Sequence, residues 1–383
     1  MEGRRGPAVI VEADATYLAR ACELAARSVA DAAPNPSVGC VLVRDGVTLG
    51  EGWHHRRGDA HAEVEALRDA HARGNDPQGA TAYISLEPCD HFGRTPPCTR
   101  ALIAAGVARV VIGALDPNPR TAGGGVLRLR DAGIAVEVVD DPAAGALLER
   151  FRWTVSHARP YVTLKMAMSL DGFIAARPGE QRWLTGAPAR ERVRELRIEH
   201  DAVMVGAGTV RVDDPQLTVR PHATRRKPYV RVVACETDPI PLTSRVLAPA
   251  EDAAEAYRPT IVLAPPGRRE AFAELESVAE VIYVGEESAQ TLDLAAALVA
   301  LREREITSVL CEGGPTLGGR LLAHGLVQRL VWFVAPLLLR SENAVPVLAG
   351  ADLGAMNGWR FDRIERLGED VMLSADLTVC SPA

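Results

Sequence analysis

Aromatic residues are scarce in this chain of 383 residues, only 4% of the total, and no stripe of rings alternates with basic residues. Single-stranded nucleic acid is held on such stripes, so their lack argues against a nucleic-acid partner. Positive charge is not in excess either: 43 Lys and Arg stand against 50 Asp and Glu, a net charge of −7. That balance excludes a general phosphate-backbone or anionic-membrane surface. Long apolar runs are also missing. The longest, Leu330 to Leu339, is broken by Pro336 and falls short of the roughly 20 residues that a membrane helix needs. Arg4 and Arg5 precede Pro7 to Val11, a segment too short for the apolar core of a secretory signal. The seven cysteines are odd in number and scattered without framework spacing, which points to reduced thiols and a cytoplasmic setting.

What remains is ample for packed cores. The hydrophobic fraction is 47%, and the length calls for two domains. In the first half, strands alternate with helices at the spacing of a three-layer α/β domain. Asp14 to Val29 reads as an amphipathic helix capped by Asp14, with Leu18, Ala21, Cys22, Leu24 and Ala25 inward. A hairpin turns at Asp45-Gly46, and helices are expected over Gly125 to Ala132 and Ala143 to Trp153. Pro160, after the polar Ser156 to Arg159, marks a boundary, giving domains 1–157 and 158–383.

Two stretches carry the chemistry of the first domain. His61-Ala62-Glu63 opens a helix, and Glu87-Pro88-Cys89 ends the apolar strand Ala80 to Leu86. Cys98 follows Thr95-Pro96-Pro97, where Thr95 is the expected N-cap and Pro96 the first helical residue. A histidine and two cysteines fill three tetrahedral positions on Zn²⁺ and leave the fourth for a water, whose pKa the metal lowers. Glu63, two residues after His61, is placed to move protons without binding the metal. The pattern H-x-E followed by P-C and a second cysteine is that of zinc-dependent nucleobase deaminases. The eight residues between Cys89 and Cys98 depart from the usual C-x-x-C and leave a loop long enough to touch substrate. A closed structural site, with His91 as fourth ligand, is the weaker alternative because it has no use for Glu63.

The second half has two strand-to-glycine-loop transitions, Gly206-Ala207-Gly208-Thr209 and Glu312-Gly313-Gly314-Pro315-Thr316-Leu317-Gly318-Gly319. Such loops let backbone N–H groups approach phosphate with a helix dipole behind them. Neither is a Walker or a G-x-G-x-x-G loop. Together with Arg220 they favour a phosphorylated cofactor or substrate, and Trp183 offers a ring for stacking.

With these residues in place, the chain from about Asp14 to Leu377 resembles the bifunctional deaminase–reductases of riboflavin biosynthesis. The resemblance rests on Pro34-Asn35-Pro36-Ser37-Val38-Gly39, Gly52-Trp53-His54, His61-Ala62-Glu63, the segment Leu86 to Cys98, and Asp116-Pro117-Asn118-Pro119. In the second half it rests on Leu164-Lys165, Ser169-Leu170-Asp171-Gly172, Asp213-Asp214-Pro215 with Arg220, and Glu312 to Leu317. It implies a cytidine-deaminase-like α/β/α domain followed by a dihydrofolate-reductase-like α/β domain, with Zn²⁺ and NADPH as cofactors. The implied chemistry is deamination of a diamino-ribosylamino-pyrimidinone 5′-phosphate, then reduction of its ribosyl group to ribityl. By the same matching, His61, Cys89 and Cys98 bind zinc and Glu63 is catalytic. Asn35, His54, His91, Arg94, Asp116 and Asn118 face the first substrate, and Gln181, Leu217, Arg220 and Glu312 the second. Ala167, Trp183, Thr209, Asp213, Glu236 and Gly314, Pro315, Thr316, Leu317, Gly318, Gly319 and Arg320 line the cofactor. The resemblance also implies a homo-oligomer. Three positions depart from the family pattern: Cys235-Glu236 after the strand Arg231 to Val233, Gln181 before the tryptophan, and Arg340 after the Ala335-Pro336 strand. They motivate an alternative, an active deaminase carrying a non-catalytic reductase-like binding or assembly domain.

Overall fold

A hairpin starts the first sheet. Asp45 and Gly46 both take positive φ, 53° and 77°, as a tight hairpin turn requires, and join β1 (Gly39–Arg44) to β2 (Val47–Trp53). This computed structural model describes residues 12–179, 183–221, 223, 225, 227–250, 256–350, 352–354 and 358–377, so Gln181 lies outside the described residues. Strands β3 (Thr81–Ile84), β4 (Arg109–Ile112) and β5 (Ala135–Val138) follow in parallel, and the sheet order is β2-β1-β3-β4-β5.

The period-2 alternation decides what each face buries. Val41, Val43, Tyr83 and Val111 pack with Ala21 and Leu24 of α1 (Glu12–Ala26). Cys40, Leu42, Ala82, Ile84, Val110 and Ile112 turn the other way, onto α2 (Ala62–Ala72), α3 (Cys98–Ala104) and α4 (Gly124–Asp131). The result is the expected three layers. At Gly52 a Cβ would lie 2.3 Å from the Ala66 nitrogen, so glycine lets α2 ride directly on β2.

Three local expectations are corrected. Asp14 is not a cap: it lies inside α1, buried, and accepts from Tyr83 Oη at 2.6 Å and from two Arg109 nitrogens at 2.9 and 2.8 Å. Helix α1 ends at Ala26 rather than Val29. The segment after β5 is two helices, α5 (Pro142–Leu147) and α6 (Glu149–Ser156), because the chain breaks step at Leu148.

The chain divides into two compact units between His157 and Ala158. In the second, β6 (Tyr161–Ser169), β7 (Phe173–Ala175), α7 (Ala187–Glu199), β8 (Ala202–Gly206), α8 (Ala207–Asp213) and β9 (Val230–Ala234) come first. Then follow β10 (Ile261–Ala264), α9 (Arg269–Phe272), β11 (Glu280–Tyr283), α10 (Leu294–Glu303), β12 (Ser308–Cys311) and α11 (Pro315–Ala323). Strands β13 (Arg329–Ala335), β14 (Val345–Pro346), β15 (Trp359–Leu367) and β16 (Asp370–Leu377) complete it. The nine-stranded sheet has the order β11-β10-β9-β8-β12-β6-β13-β16-β15, parallel from β11 to β13 and antiparallel at its last two pairings. Strand β12 enters between β8 and β6, so the loops leaving β8, β9 and β12 meet at one edge. Ligands of open α/β sheets bind at such a crevice.

Candidate active sites

The start of α2 and the start of α3 converge on one point. His61 Nδ1 lies 3.2 Å from Cys98 Sγ and 3.5 Å from Cys89 Sγ, and the Cys98 amide donates to Cys89 Sγ at 3.4 Å. One ligand atom from each of His61, Cys89 and Cys98 falls within 4.8 Å of the other two. The edges of a ZnS₂N tetrahedron are roughly 3.5–3.8 Å, so the three donors fit a zinc ion. His91 is not part of the group, and the fourth position is left for a small molecule. The closed site with His91 as ligand does not form.

Thr95 corrects the sequence reading. The N-cap of α3 is Pro97 and the helix starts at Cys98 itself. Thr95 instead places its hydroxyl 3.2 Å from His61 Nε2. With Nδ1 turned to the thiols, Nε2–H donates to that hydroxyl and the ring is fixed, the usual support of a ligating histidine. The hydrogen bond with Cys98, reinforced by His61, pulls the Cys89 thiol well below its ordinary pKa. Glu63 is 3% exposed on the first turn of α2. Burial, with the Cys89 charge adding to it, pushes its carboxyl up to about 7, near the operating pH of a proton shuttle.

A second ring stands beside the first. His54 and His61 meet edge to face with centroids 5.2 Å apart. His54 Nδ1 lies 3.1 Å from the Ala60 carbonyl, which can only accept, so Nδ1 carries the proton and Nε2 accepts from Asn35 Nδ2 at 3.1 Å. Burial pushes the His54 pKa down, which keeps this neutral form. Asn35 is thus tied to His54, whose ring lies against that of His61. His91 and Arg94 lie exposed on the loop between the two cysteines. Asp116 accepts from the Asn118 amide at 2.9 Å in the loop after β4.

In the second unit, Glu312 follows β12 and meets α7. Arg197 Nε and Nη2 donate to its two carboxylate oxygens at 2.5 and 3.0 Å, and Arg197 Nη1 donates to the Thr218 carbonyl at 2.7 Å. Lys165 is half-buried nearby on β6; desolvation pushes its ammonium pKa down while Glu312 opposes the shift. Arg197 is not among the site residues that the sequence singles out. A signal was present: Arg192 and Arg194 pair with Glu195 and Glu191 three residues away, whereas Arg197 has no acidic neighbour at that spacing.

The two glycine loops do face each other. A Cβ on Gly314 would come 3.0 Å from Thr209 Oγ1, and one on Gly206 would contact Leu317. Helix α11 starts at Pro315 with no side-chain cap on Gly314, leaving its leading amides to an outside acceptor. This cradle of glycine backbone and uncapped helix start fits a phosphate-bearing dinucleotide. Leu217 sits buried with φ 52° in the turn after Asp213-Asp214. Trp183 is 79% exposed, with the Arg190 guanidinium 5.2 Å above its ring, so it is not core. Ala167 packs at the edge of the cluster of Leu310, Val331 and Phe333. Two of the departing residues have partners here. Glu236 pairs with Arg320, which offsets its charge, and the Arg340 amide donates to Asp171 at 2.9 Å.

Fold and donors define a zinc-dependent deaminase joined in one chain to a nucleotide-cofactor reductase. Residues 11–114 match the cytidine and deoxycytidylate deaminase zinc-binding region, and residues 160–373 the RibD C-terminal domain. The chain is 38% identical over 366 residues to the riboflavin biosynthesis protein RibD of Aquifex aeolicus, covering 95% of this chain and 99% of that one. With RibD of Escherichia coli it is 40% identical over 375 residues, covering 94% and 98%. Among solved structures, Acinetobacter baumannii RibD is 36% identical with a TM-score of 0.78 over 96% of this chain and 99% of that one. A Thermotoga maritima diaminohydroxyphosphoribosylaminopyrimidine deaminase/5-amino-6-(5-phosphoribosylamino)uracil reductase is 34% identical with a TM-score of 0.81 over 95% and 99%. The chain belongs to the RibD family. It is a bifunctional enzyme of riboflavin biosynthesis, a deaminase and a reductase that use Zn²⁺ and NADPH. No helix among the described residues is long and apolar enough to cross a membrane.

Proposed function

We propose that the first unit hydrolyses the 2-amino group of 2,5-diamino-6-ribosylamino-4(3H)-pyrimidinone 5′-phosphate, and that the second reduces the ribosyl group of the product to ribityl. The single observation that carries the first step is the three-donor cluster of His61, Cys89 and Cys98 with buried Glu63 beside it. Zinc in that cluster supplies an acidified water in its open position. Glu63 would take one proton from the attacking water and pass it to the ring nitrogen, then take the proton of the hydroxyl so formed and pass it to the departing amine, which leaves as ammonia. Thr95 holds the His61 ring. Asn35 and neutral His54 orient the pyrimidine edge, and His91, Arg94, Asp116 and Asn118 close on the rest of the substrate.

In the second unit, NADPH supplies the hydride, and the protein's task is placement. Thr209, Asp213, Trp183, Ala167, Glu236 and the Gly314 to Arg320 turn hold the cofactor. Glu312, oriented by Arg197, faces the substrate with Leu217, and Arg220 meets its phosphate; Gln181 completes the set. The enzyme acts in the cytoplasm as a homo-oligomer. The test of the first step is ammonia release from the diaminopyrimidine phosphate by zinc-loaded enzyme. Release that survives Cys89→Ser, with zinc no longer bound, would falsify the assignment.

A further inference from the structure

Glu87 lies two residues before Cys89, is 5% exposed, and has no part in the chemistry described above. Its carboxylate is nonetheless fully engaged. Oε2 accepts from the Asp116 amide at 3.2 Å and from the Gly123 amide at 2.9 Å, and Oε1 accepts from the Val126 amide at 3.1 Å. All three donors belong to one segment, the loop after β4 and the first turn of α4. The Gly123 N-cap has no side-chain oxygen to give, so the cap of α4 comes from Glu87, a residue of another element. The next residue adds a contact to the same segment. A Cβ on Gly125 would lie 2.0 Å from the Pro88 carbonyl oxygen, so α4 is seated directly on the Glu87-Pro88 backbone. Within the segment, Asp116 accepts from the Asn118 amide and the Thr121 hydroxyl, so the loop is tied to itself.

We propose that Glu87 is a positioning residue for deamination: it fixes the reach of Asp116 and Asn118 toward the pyrimidine relative to the metal ligand Cys89. The proposal rests on the reading of those two residues as substrate contacts. A carboxylate is required here because it offers two acceptor oxygens and no donor, whereas a carboxamide would turn an N–H toward an amide N–H. The loop would then shift while the ligands stay.

Steady-state deamination by full-length Glu87→Gln tests this, with zinc content measured in the same samples. The expected result is a KM for the diaminopyrimidine phosphate raised about tenfold, the equivalent of one or two buried hydrogen bonds, with kcat within about threefold of wild type and one zinc retained. Glu87→Leu, which loses all three bonds, raises KM further. Thr121→Val, which removes only the hydroxyl held by Asp116, moves KM the same way by a smaller factor and decides the matter if the Glu87 variants do not fold. Unchanged KM in Glu87→Gln, or kcat and zinc falling together at constant KM, overturns the proposal and makes Glu87 packing around the metal. Failure of the underlying reading looks different: Asn118→Ala would leave KM unchanged, or wild-type enzyme itself would release no ammonia.

Discussion

A carboxylate between a metal site and a protein interior must be both buried and movable in its proton. Glu63 meets that description, and all of the proton transfer proposed for the first reaction falls to it. Glu63→Gln keeps the side-chain volume and the three zinc donors but has no proton to exchange. Deamination is expected to fall by 10²–10⁴, about the range of a lost general acid–base, with zinc content unchanged. Ammonia release and metal analysis on the same preparation check it. Arg197 and Glu312 carry a different prediction at this scale. Arg197→Met leaves the Glu312 carboxylate without its bidentate partner and is expected to destabilise the second unit by about 3 kcal/mol, read from the urea midpoint. Arg197→Met with Glu312→Met is expected to recover much of that loss, because no unpaired acid remains. The cluster of His61, Cys89 and Cys98 was legible in the sequence because those residue types in that order have few other uses. Arg197 and Thr95 were not, since one partner lies 115 residues away and the other 34, and no local pattern encodes either distance.

At the scale of elements, the first site depends on two helix starts and a strand end held by a packed sheet. Helix α1 is fastened to β3 and β4 by Asp14, which joins Tyr83 and Arg109. The Arg109 hydrogen bonds hold the Asp14 carboxyl below its ordinary value, against the opposing effect of burial. A carboxyl whose folded pKa is depressed adds stability that is complete above its unfolded pKa, roughly 4, and vanishes as pH falls through the folded value. Asp14→Asn is therefore expected to lower stability at pH 7 by about 2 kcal/mol, the worth of hydrogen bonds to a charged group, and by progressively less toward pH 3. Thermal or urea unfolding across that pH range checks it; a gap that stays constant with pH would contradict it. Element types read well from the sequence, because α1, α2 and the strands carry clean periods of 3.6 and 2. Ends read less well. Asp14 has the residue type of a cap, but it is recruited by Arg109, 95 residues on. The helix pair α5 and α6 is continuous in pattern and broken only in backbone geometry at Leu148.

The whole molecule joins two compact units in one chain, and the account assigns each its own cofactor. Metal removal should separate them. A chelator is expected to abolish ammonia release while leaving NADPH oxidation intact when the deaminated uracil is supplied directly, and added zinc should restore the first activity. The order of the two reactions, and the working state of a second unit that carries Glu236 and Arg340, rest on one comparison above all. NADPH oxidation is followed with the diaminopyrimidine phosphate as substrate, in wild type and in Glu63→Ala. The expected result is oxidation by wild type, none by the variant, and full recovery of the variant on adding the deaminated uracil. Ammonia release by wild type without any NADPH oxidation would contradict it, and would make the second unit a passenger of the deaminase.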